Sequence, residues 1–404
     1  MLQGFVEIVY DLNNRASFRL IESLLYRSKL YNDSFQSVML AEIGSDERPF
    51  VMSTPRIDAG EAVHLRFPFA SERYDELFLM KRQPRSFEAI RDMLELSDQD
   101  ATLFRRFLTT EAPSPYQRYC GTGARWRYFG HACILLETEG VSMLLDPVLS
   151  YTYESGISRY TYQDLPDCID YVLITHNHQD HILFETLLQL RHRIRTIVVP
   201  RNGGGALQDP SLRLLLNQCG FHNVIELAEM QAIDFPTGSI TAVPFLGEHA
   251  DLNVLTKTAY LVRLGRNKLM FLADSCNISP KLYEHIHHAL GDVDAIFLGM
   301  ECDGAPLSWL YGPLLTQRLE RSKDHSRRLA GSNYERAIAI VEQFRCKEVY
   351  VYAMGQEPWL NYVMGIKYTE KSNPIIQSNR LIETCQARGV MAERLFGEKE
   401  ILLS

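Results

Sequence analysis

Three histidines and an aspartate stand within six positions, at His176, His178, Asp180 and His181, in a chain of 404 residues that has only 12 histidines. They follow Tyr171-Val-Leu-Ile-Thr175, an apolar and β-branched run that reads as a buried strand. On an extended loop, side chains two positions apart point the same way, so His176 and His178 can grip one ion. Asp180 and His181, one step on, can turn toward a second. Two further strand ends carry donors. Phe245-Leu-Gly-Glu-His-Ala-Asp251 offers Glu248, His249 and Asp251, and Phe271-Leu-Ala-Asp-Ser275 ends in Asp274. A lone carboxylate at the end of so apolar a strand would be costly to bury, whereas a bound cation makes it favourable. Asp274 has two oxygens and can bridge two ions. One of Glu248 and His249 is expected as a ligand, with the other turned outward in support. His131 reads as a supporting or structural histidine, and Asp146, before Pro147, as the group that orients one of the metal-binding histidines.

The elements that must position these groups are strands. Trp126 to Glu137 and Val141 to Pro147 read as a hairpin joined by Thr138-Glu-Gly, and further strands fit 196–200, 240–245, 258–264, 269–273, 295–298 and 348–352. Helical periodicity lies between them at 182–192, 279–290, 333–344 and 376–388. The alternation predicts an α/β architecture with two sheets covered by helices. Residues 1–118 look different, with helical patterns at 13–31 and 86–109 and short alternating segments at Phe50-Val-Met and Val63-His-Leu-Arg-Phe67. The prolines of Glu111-Ala-Pro-Ser-Pro-Tyr116 resist helix and mark a linker. A smaller N-terminal α+β domain, 1–118, is therefore expected before a catalytic domain, 119–404, with a role as cap, as dimerisation surface of a homodimer or in docking a partner.

Composition narrows the rest. Hydrophobic residues at 46% and charged residues at 23% suit a globular protein, and a formal charge of −8 argues against nucleic acid as the main partner. The local basic group Arg318, Arg321, Lys323, Arg327 and Arg328 reads as a solvated face. The 8 cysteines are scattered without a CxxC pair, which excludes a disulfide framework and a cysteine metal cluster. No apolar run reaches membrane-spanning length, and the opening MLQGFVEIVYDLNNRA lacks the basic and apolar regions of a signal peptide, so no membrane association and a reducing cytoplasm are expected.

The HxHxDH motif, the preceding LLDP and the later strand-end Asp274 resemble the metallo-β-lactamase fold superfamily across roughly residues 122–400. That resemblance implies an αββα sandwich with a dinuclear centre at one edge. Most hydrolases of the superfamily use a histidine as the next ligand; here Gly247-Glu248-His249-Ala-Asp-Leu stands before Asp274, an arrangement similar to the diiron β-hydroxylases, the type known from chloramphenicol biosynthesis, in which a glutamate takes that place. The stretch from Gly299 to Tyr311 has the same flavour. Such an enzyme hydroxylates the β-carbon of an amino acid carried as a thioester on a carrier domain, and it too bears an N-terminal domain, longer than the one here. The resemblance implies His176, His178 and Glu248 at one ion, Asp180 and His181 at the other, and Asp274 between them, with Asp180, Glu248 and Asp274 as the catalytic carboxylates. It also implies a late histidine on the second ion; His325, in Lys323-Asp-His-Ser-Arg, is the candidate.

Carboxylate-rich ligation favours iron or manganese over zinc. The leading expectation is accordingly a diiron oxygenase that inserts oxygen into a C–H bond of an amino-acid-like substrate, a small molecule or one bound to a carrier protein. Its electrons must come from a separate donor, since the chain has neither a cysteine cluster nor a Gly-rich dinucleotide loop. A dinuclear metallohydrolase with zinc or manganese, acting on a phosphodiester, lactone or amide, is the alternative. A binding module with a structural metal site is a third. Trp309, Tyr311, Trp359, Tyr362 and Tyr368 are candidates for an aromatic pocket, and equally for core.

Overall fold

The protein, described by a computed structural model over residues 18–48, 61–203, 209–249, 254–302, 320, 331–364 and 367–404, begins with a small unit of its own. Strands β1 (Val38–Ala41) and β2 (Ala62–Leu65) pair antiparallel. They pack with helices Glu72–Leu79, Phe87–Met93 and Asp98–Phe104 around Val63, Leu65, Tyr74, Ile90, Leu94 and Phe104. The single helix expected over 86–109 is two, because Ser97 accepts from the Asp100 N–H and starts a new helix there. The expected strand at Phe50-Val-Met lies outside the described residues.

Two seven-stranded sheets follow. The first contains β3 (Ala124–Gly130), β4 (Cys133–Glu137), β5 (Ser142–Leu145), β6 (Ile169–Leu173), β7 (Ile194–Pro200) and β8 (Val224–Leu227) in that order, with β16 (Lys399–Leu403) beside β3. The second runs from β9 (Ala232–Phe235) through β10 (Gly238–Val243), β11 (Ala259–Leu264), β12 (Asn267–Phe271), β13 (Ala295–Leu298) and β14 (Glu348–Val351) to β15 (Met391–Arg394). Alternation along each strand builds the layers. Trp126, Tyr128, Ile134 and Leu136 point between the sheets and meet Ile240, Tyr260, Phe271, Phe297 and Tyr350 from the other side. The opposite faces pack under helices: Phe184–Leu190 and Leu212–Gln218 on the first sheet, and Pro280–Leu290, Tyr334–Phe344 and Asn373–Ala387 on the second. This is the αββα sandwich.

One expectation needs correction. Trp126 to Glu137 is not one strand but two, β3 and β4, because Gly130 and His131 take left-handed φ values of 110° and 50° and turn the chain back. The apolar pattern runs straight through the turn, so periodicity cannot reveal it.

The register matters for function. Strands β5, β6 and β7 are parallel, as are β12, β13 and β14, and the antiparallel neighbours bring β3 and β10 into the same direction as these runs. The residues after β3, β5, β6, β10 and β12 therefore emerge at the carboxyl ends of the strands, where open α/β sheets place ligands. His131, Asp146, His176, Glu248 and Asp274 are those residues.

The N-terminal unit is bolted to the sandwich by arginines, Arg191 buried and Arg48 and Arg159 half-buried. Arg191 donates to both oxygens of Asp75, at 2.9 and 3.1 Å, and to the carbonyls of Ser71 and Phe69. Arg48 makes a bidentate pair with Glu185, at 3.1 and 3.0 Å, and lies 3.5 Å over the Tyr362 ring. Asp46 accepts from Arg159 and Tyr153, and Arg159 in turn covers Trp359. Burial alone would raise the Asp46 carboxyl, but the hydrogen bonds from Arg159 and Tyr153 outweigh it and hold it below its ordinary 3.8. A carboxylate depressed on folding stabilises above its unfolded pKa, and that contribution is lost as pH falls through the folded one. Asp46→Asn should thus cost on the order of 1–2 kcal/mol near neutrality. Urea unfolding of parent and variant should show the difference shrinking as pH falls below 3.8.

Candidate metal centre

At the shared sheet edge, seven of the side chains singled out in the sequence come together. One ligand atom each from His176, His178, Glu248 and Asp274 lies within 4.8 Å of every other, and so do atoms from Asp180, His181 and His131. Asp274 spans the two groups: its Oδ2 is 3.5 Å from His176 Nε2 and 3.1 Å from His181 Nε2. His178 Nδ1 sits 3.2 Å from Glu248 Oε1. His131 Nε2 is 3.0 Å from Asp180 Oδ2, so this histidine, read from sequence as a support, faces the donors of the second group directly. His325 and Asp251 lie outside the described residues, as do Trp309, Tyr311 and the basic group 318–328.

Of the pair left open by sequence, Glu248 faces the histidines and His249 turns its Nδ1 to the Lys257 ammonium, 3.3 Å away. The turn that does this is unusual. Gly247 and Glu248 both adopt left-handed backbone, φ 82° and 69°, a costly state for a glutamate that persists only where its surroundings hold it.

Support comes from groups buried behind the donors. Asp146 accepts from the Thr175 N–H at 2.8 Å, the Thr175 hydroxyl at 2.7 Å and His181 Nδ1 at 2.9 Å. Thr175 Oγ1 is also 3.0 Å from His176 Nδ1. With their Nδ1 atoms engaged, His176 and His181 present Nε2 to the cluster, as metal-binding histidines do. Two phenols, missed by pattern reasoning, fix the strand ends from the second sheet. Tyr260 donates to the Ile174 carbonyl at 2.8 Å, and Tyr352 accepts the Ala273 N–H at 3.1 Å, immediately before Asp274. A polar tip on an otherwise apolar strand was their available signal. Glu301, beyond β13, was also missed; burial and the charges of Asp274, Glu248 and Asp180 raise its carboxyl well above the ordinary value.

The electrostatics are those of a cation site. Burial, with the charges of His181 and His178, lowers His176 to about 3, which leaves it a neutral lone-pair donor. Burial opposes charge on His181 too, yet Asp274, Asp180 and Asp146 outweigh it and raise its pKa well above the ordinary value. Three carboxylates thus converge on one imidazole. His176 Nε2, Glu248 Oε2 and Asp274 Oδ1 are buried and have no hydrogen-bond partner among the described residues. Such atoms are expensive to bury unless something binds them, and a metal ion fits all three.

Family models and whole-chain relatives agree with this geometry. Residues 1–113 match a diiron non-heme β-hydroxylase N-terminal domain and residues 142–306 a β-lactamase superfamily domain. Over 403 residues, 98% of this chain and 75% of the relative, the sequence is 40% identical to the 4-amino-L-phenylalanyl-[CmlP-peptidyl-carrier-protein] 3-hydroxylase of Streptomyces venezuelae. The chain belongs to the diiron non-heme β-hydroxylase family. The crystal structure of CmlA, a diiron β-hydroxylase from the same organism, superposes with a TM-score of 0.87 at 38% identity, covering 95% of this chain and 72% of that one. This β-hydroxylase family member is a metal-dependent hydroxylase, and two iron ions are its cofactor. Hydrolases are only distant relations: a UPF0173 metal-dependent hydrolase of Hyperthermus butylicus is 31% identical over 74 residues, 18% of this chain and 31% of that one. Among the described residues, no helix is long and apolar enough to cross a membrane.

Proposed function

We propose that the protein hydroxylates the β-carbon of an aromatic aminoacyl group held on a peptidyl carrier protein. The observation that carries this reading is Glu248, standing with two histidines and Asp274 in a chain so similar, end to end, to a carrier-dependent 3-hydroxylase. His176, His178 and Glu248 would hold one iron and Asp180 and His181 the other, with Asp274 between the two donor groups. His131 reaches the second group, and His325 remains the late-chain candidate. When bound, the two irons would supply the Lewis acidity and the redox centre for dioxygen activation. The chain's own groups do the rest. Asp146 and Thr175 fix the imidazole orientations, and the carboxylates Asp180, Glu248 and Asp274 keep the site anionic, which suits hard iron and a ferric product.

Oxygen balance sets the partners. One atom of dioxygen enters the C–H bond and the other leaves as water, which consumes two electrons and two protons per turnover. A separate reductase supplies the electrons, in keeping with eight scattered cysteines, all free thiols. Free thiols also support a reducing compartment, and we place the protein in the cytoplasm on that ground. The division between domains falls near 118 and 119 on this reading, within a stretch lacking regular structure between the two units. Trp359 and Tyr362 are buried against Val148 and Leu183, beside the turn that carries His131, and form one wall rather than an open pocket.

The test is turnover on a loaded carrier. Carrier proteins charged with aromatic and aliphatic aminoacyl groups, mixed with iron-loaded protein, reductant and dioxygen, should give an aromatic product heavier by one oxygen. Release of free amino acid without oxygen gain would instead show a thioesterase.

A further inference from the structure

We infer that Lys257 is a positioning residue for the iron site: its ammonium clamps the strained turn that aims Glu248, while its backbone is tied to the His176 strand end. The inference rests on Glu248 being an iron ligand.

The geometry is a cross-brace. Lys257 Nζ donates to the Gly247 carbonyl at 2.7 Å and stands 3.3 Å from His249 Nδ1, the two residues flanking Glu248. Its Nζ stands over Phe245, 5.4 Å from the ring centroid. On the backbone side, Lys257 forms an isolated antiparallel bridge with His176, and the next residue, Thr258, donates its N–H to the Thr175 carbonyl at 2.8 Å. The segment carrying Lys257 is itself anchored, because the Asp209 carboxylate accepts from the Leu255 and Thr256 N–H groups at 2.9 and 3.1 Å. One residue therefore links the loop of His176 and His178 to the loop of Glu248.

The turn is also tied at Leu246, whose carbonyl accepts the Cys276 N–H at 2.8 Å and whose N–H donates to Ser275 Oγ at 3.4 Å, so the ammonium acts specifically on Gly247 and the residues that flank Glu248. The Gly247 carbonyl also accepts the His249 N–H at 2.9 Å, a local contact that any relaxed turn could keep. The left-handed Glu248 backbone is strained, and a donor to the Gly247 carbonyl, strengthened here by its charge, helps to offset that strain. Lysine does a second thing that a neutral donor cannot. It sets a fixed positive charge beside a donor group containing two carboxylates, Glu248 and Asp274, and so opposes the stabilisation of the ferric state that those carboxylates provide.

Two variants separate the clamp from the charge. Lys257→Met keeps much of the stem and loses the donor; Lys257→Gln keeps a donor without the charge. Each is compared with the parent for iron per chain, retention of iron against a chelator, the ferric charge-transfer absorption and the reduction potential, with thermal unfolding as the folding control. The expected result is that Lys257→Met holds one of its two irons about tenfold more weakly, the size usual for supporting partners of metal ligands. Lys257→Gln should keep its iron and show a lower reduction potential and a shifted absorption band. Lys257→Arg, which restores both donor and charge, should return toward the parent. If Lys257→Met does not fold, Lys257→Gln decides. A glutamine variant with the parent's iron retention, band and potential overturns the inference while leaving the diiron reading intact. A parent that takes up no iron overturns both.

Discussion

Asp274→Ala will leave the protein folded and strip it of both irons. The prediction follows from the place of one carboxylate. Asp274 Oδ2 lies 3.5 Å from His176 Nε2 and 3.1 Å from His181 Nε2, in the two donor groups respectively, and Oδ1 has no hydrogen-bond partner among the described residues. On the proposed assignment, removing it would withdraw a ligand from each ion at once. The fold should survive, because Asp274 projects from the end of β12 and the core between the sheets is built from Leu269, Phe271 and their facing residues. Loss of the metal removes several kcal/mol of transition-state stabilisation, which converts to a fall of about a thousandfold or more in turnover. His178→Ala, which withdraws a ligand from one group only, should lose one iron and keep the other. Elemental analysis of both variants separates the two cases, and an unchanged stoichiometry in Asp274→Ala would remove the bridge.

Glu248 is the residue expected to set which metal the site prefers. It adds an anionic oxygen donor where a neutral imidazole would make a softer site, and anionic oxygen ligands favour iron and its ferric state. Burial already works against that charge, raising the Glu248 carboxyl, with His178 opposing the shift. A buried carboxylate kept in spite of that cost points to a bound cation. Glu248→His should therefore take up zinc in preference to iron and lose oxidative turnover by on the order of a hundredfold, well beyond its loss of total metal. Glu248→Asp keeps the charge with a shorter reach, so it should retain iron in a weakened site. His249→Ala should keep its iron, because His249 faces Lys257. Iron and zinc per chain across the three variants give the answer; a Glu248→Ala protein with two full irons would contradict the assignment.

Much of the site can be read from sequence because metal ligands at strand ends carry a local signature. His176, His178, Asp180 and His181 are contiguous, and Asp274 is conspicuous against Phe271-Leu-Ala. The choice of Glu248 over His249 depends instead on a left-handed turn held by a lysine nine residues further on, which no local pattern encodes. His131 shows the same limit: it enters the second group because Gly130 reverses the chain inside an unbroken apolar run. Edge strands were harder still. β9 and β16, Ala232–Phe235 and Lys399–Leu403, alternate between exposed and half-buried residues, and so do not stand out as the buried runs of the inner strands do. The helix Asn373–Ala387 starts earlier than its periodicity suggests because Pro374, in its first turn, extends it toward Ser372. What escaped was thus tertiary: turns, edges and braces that exist only once both sheets are in place.

The most direct measurement is the fate of isotopically heavy dioxygen in a single turnover. Iron-loaded protein is reduced, mixed with a carrier bearing an aromatic aminoacyl group, and exposed to the labelled gas, and the aminoacyl product is weighed. The account predicts one heavy oxygen atom at the β-carbon, with the thioester intact and two irons per chain. Oxygen drawn from water, or a cleaved thioester with no label in the amino acid, would contradict it.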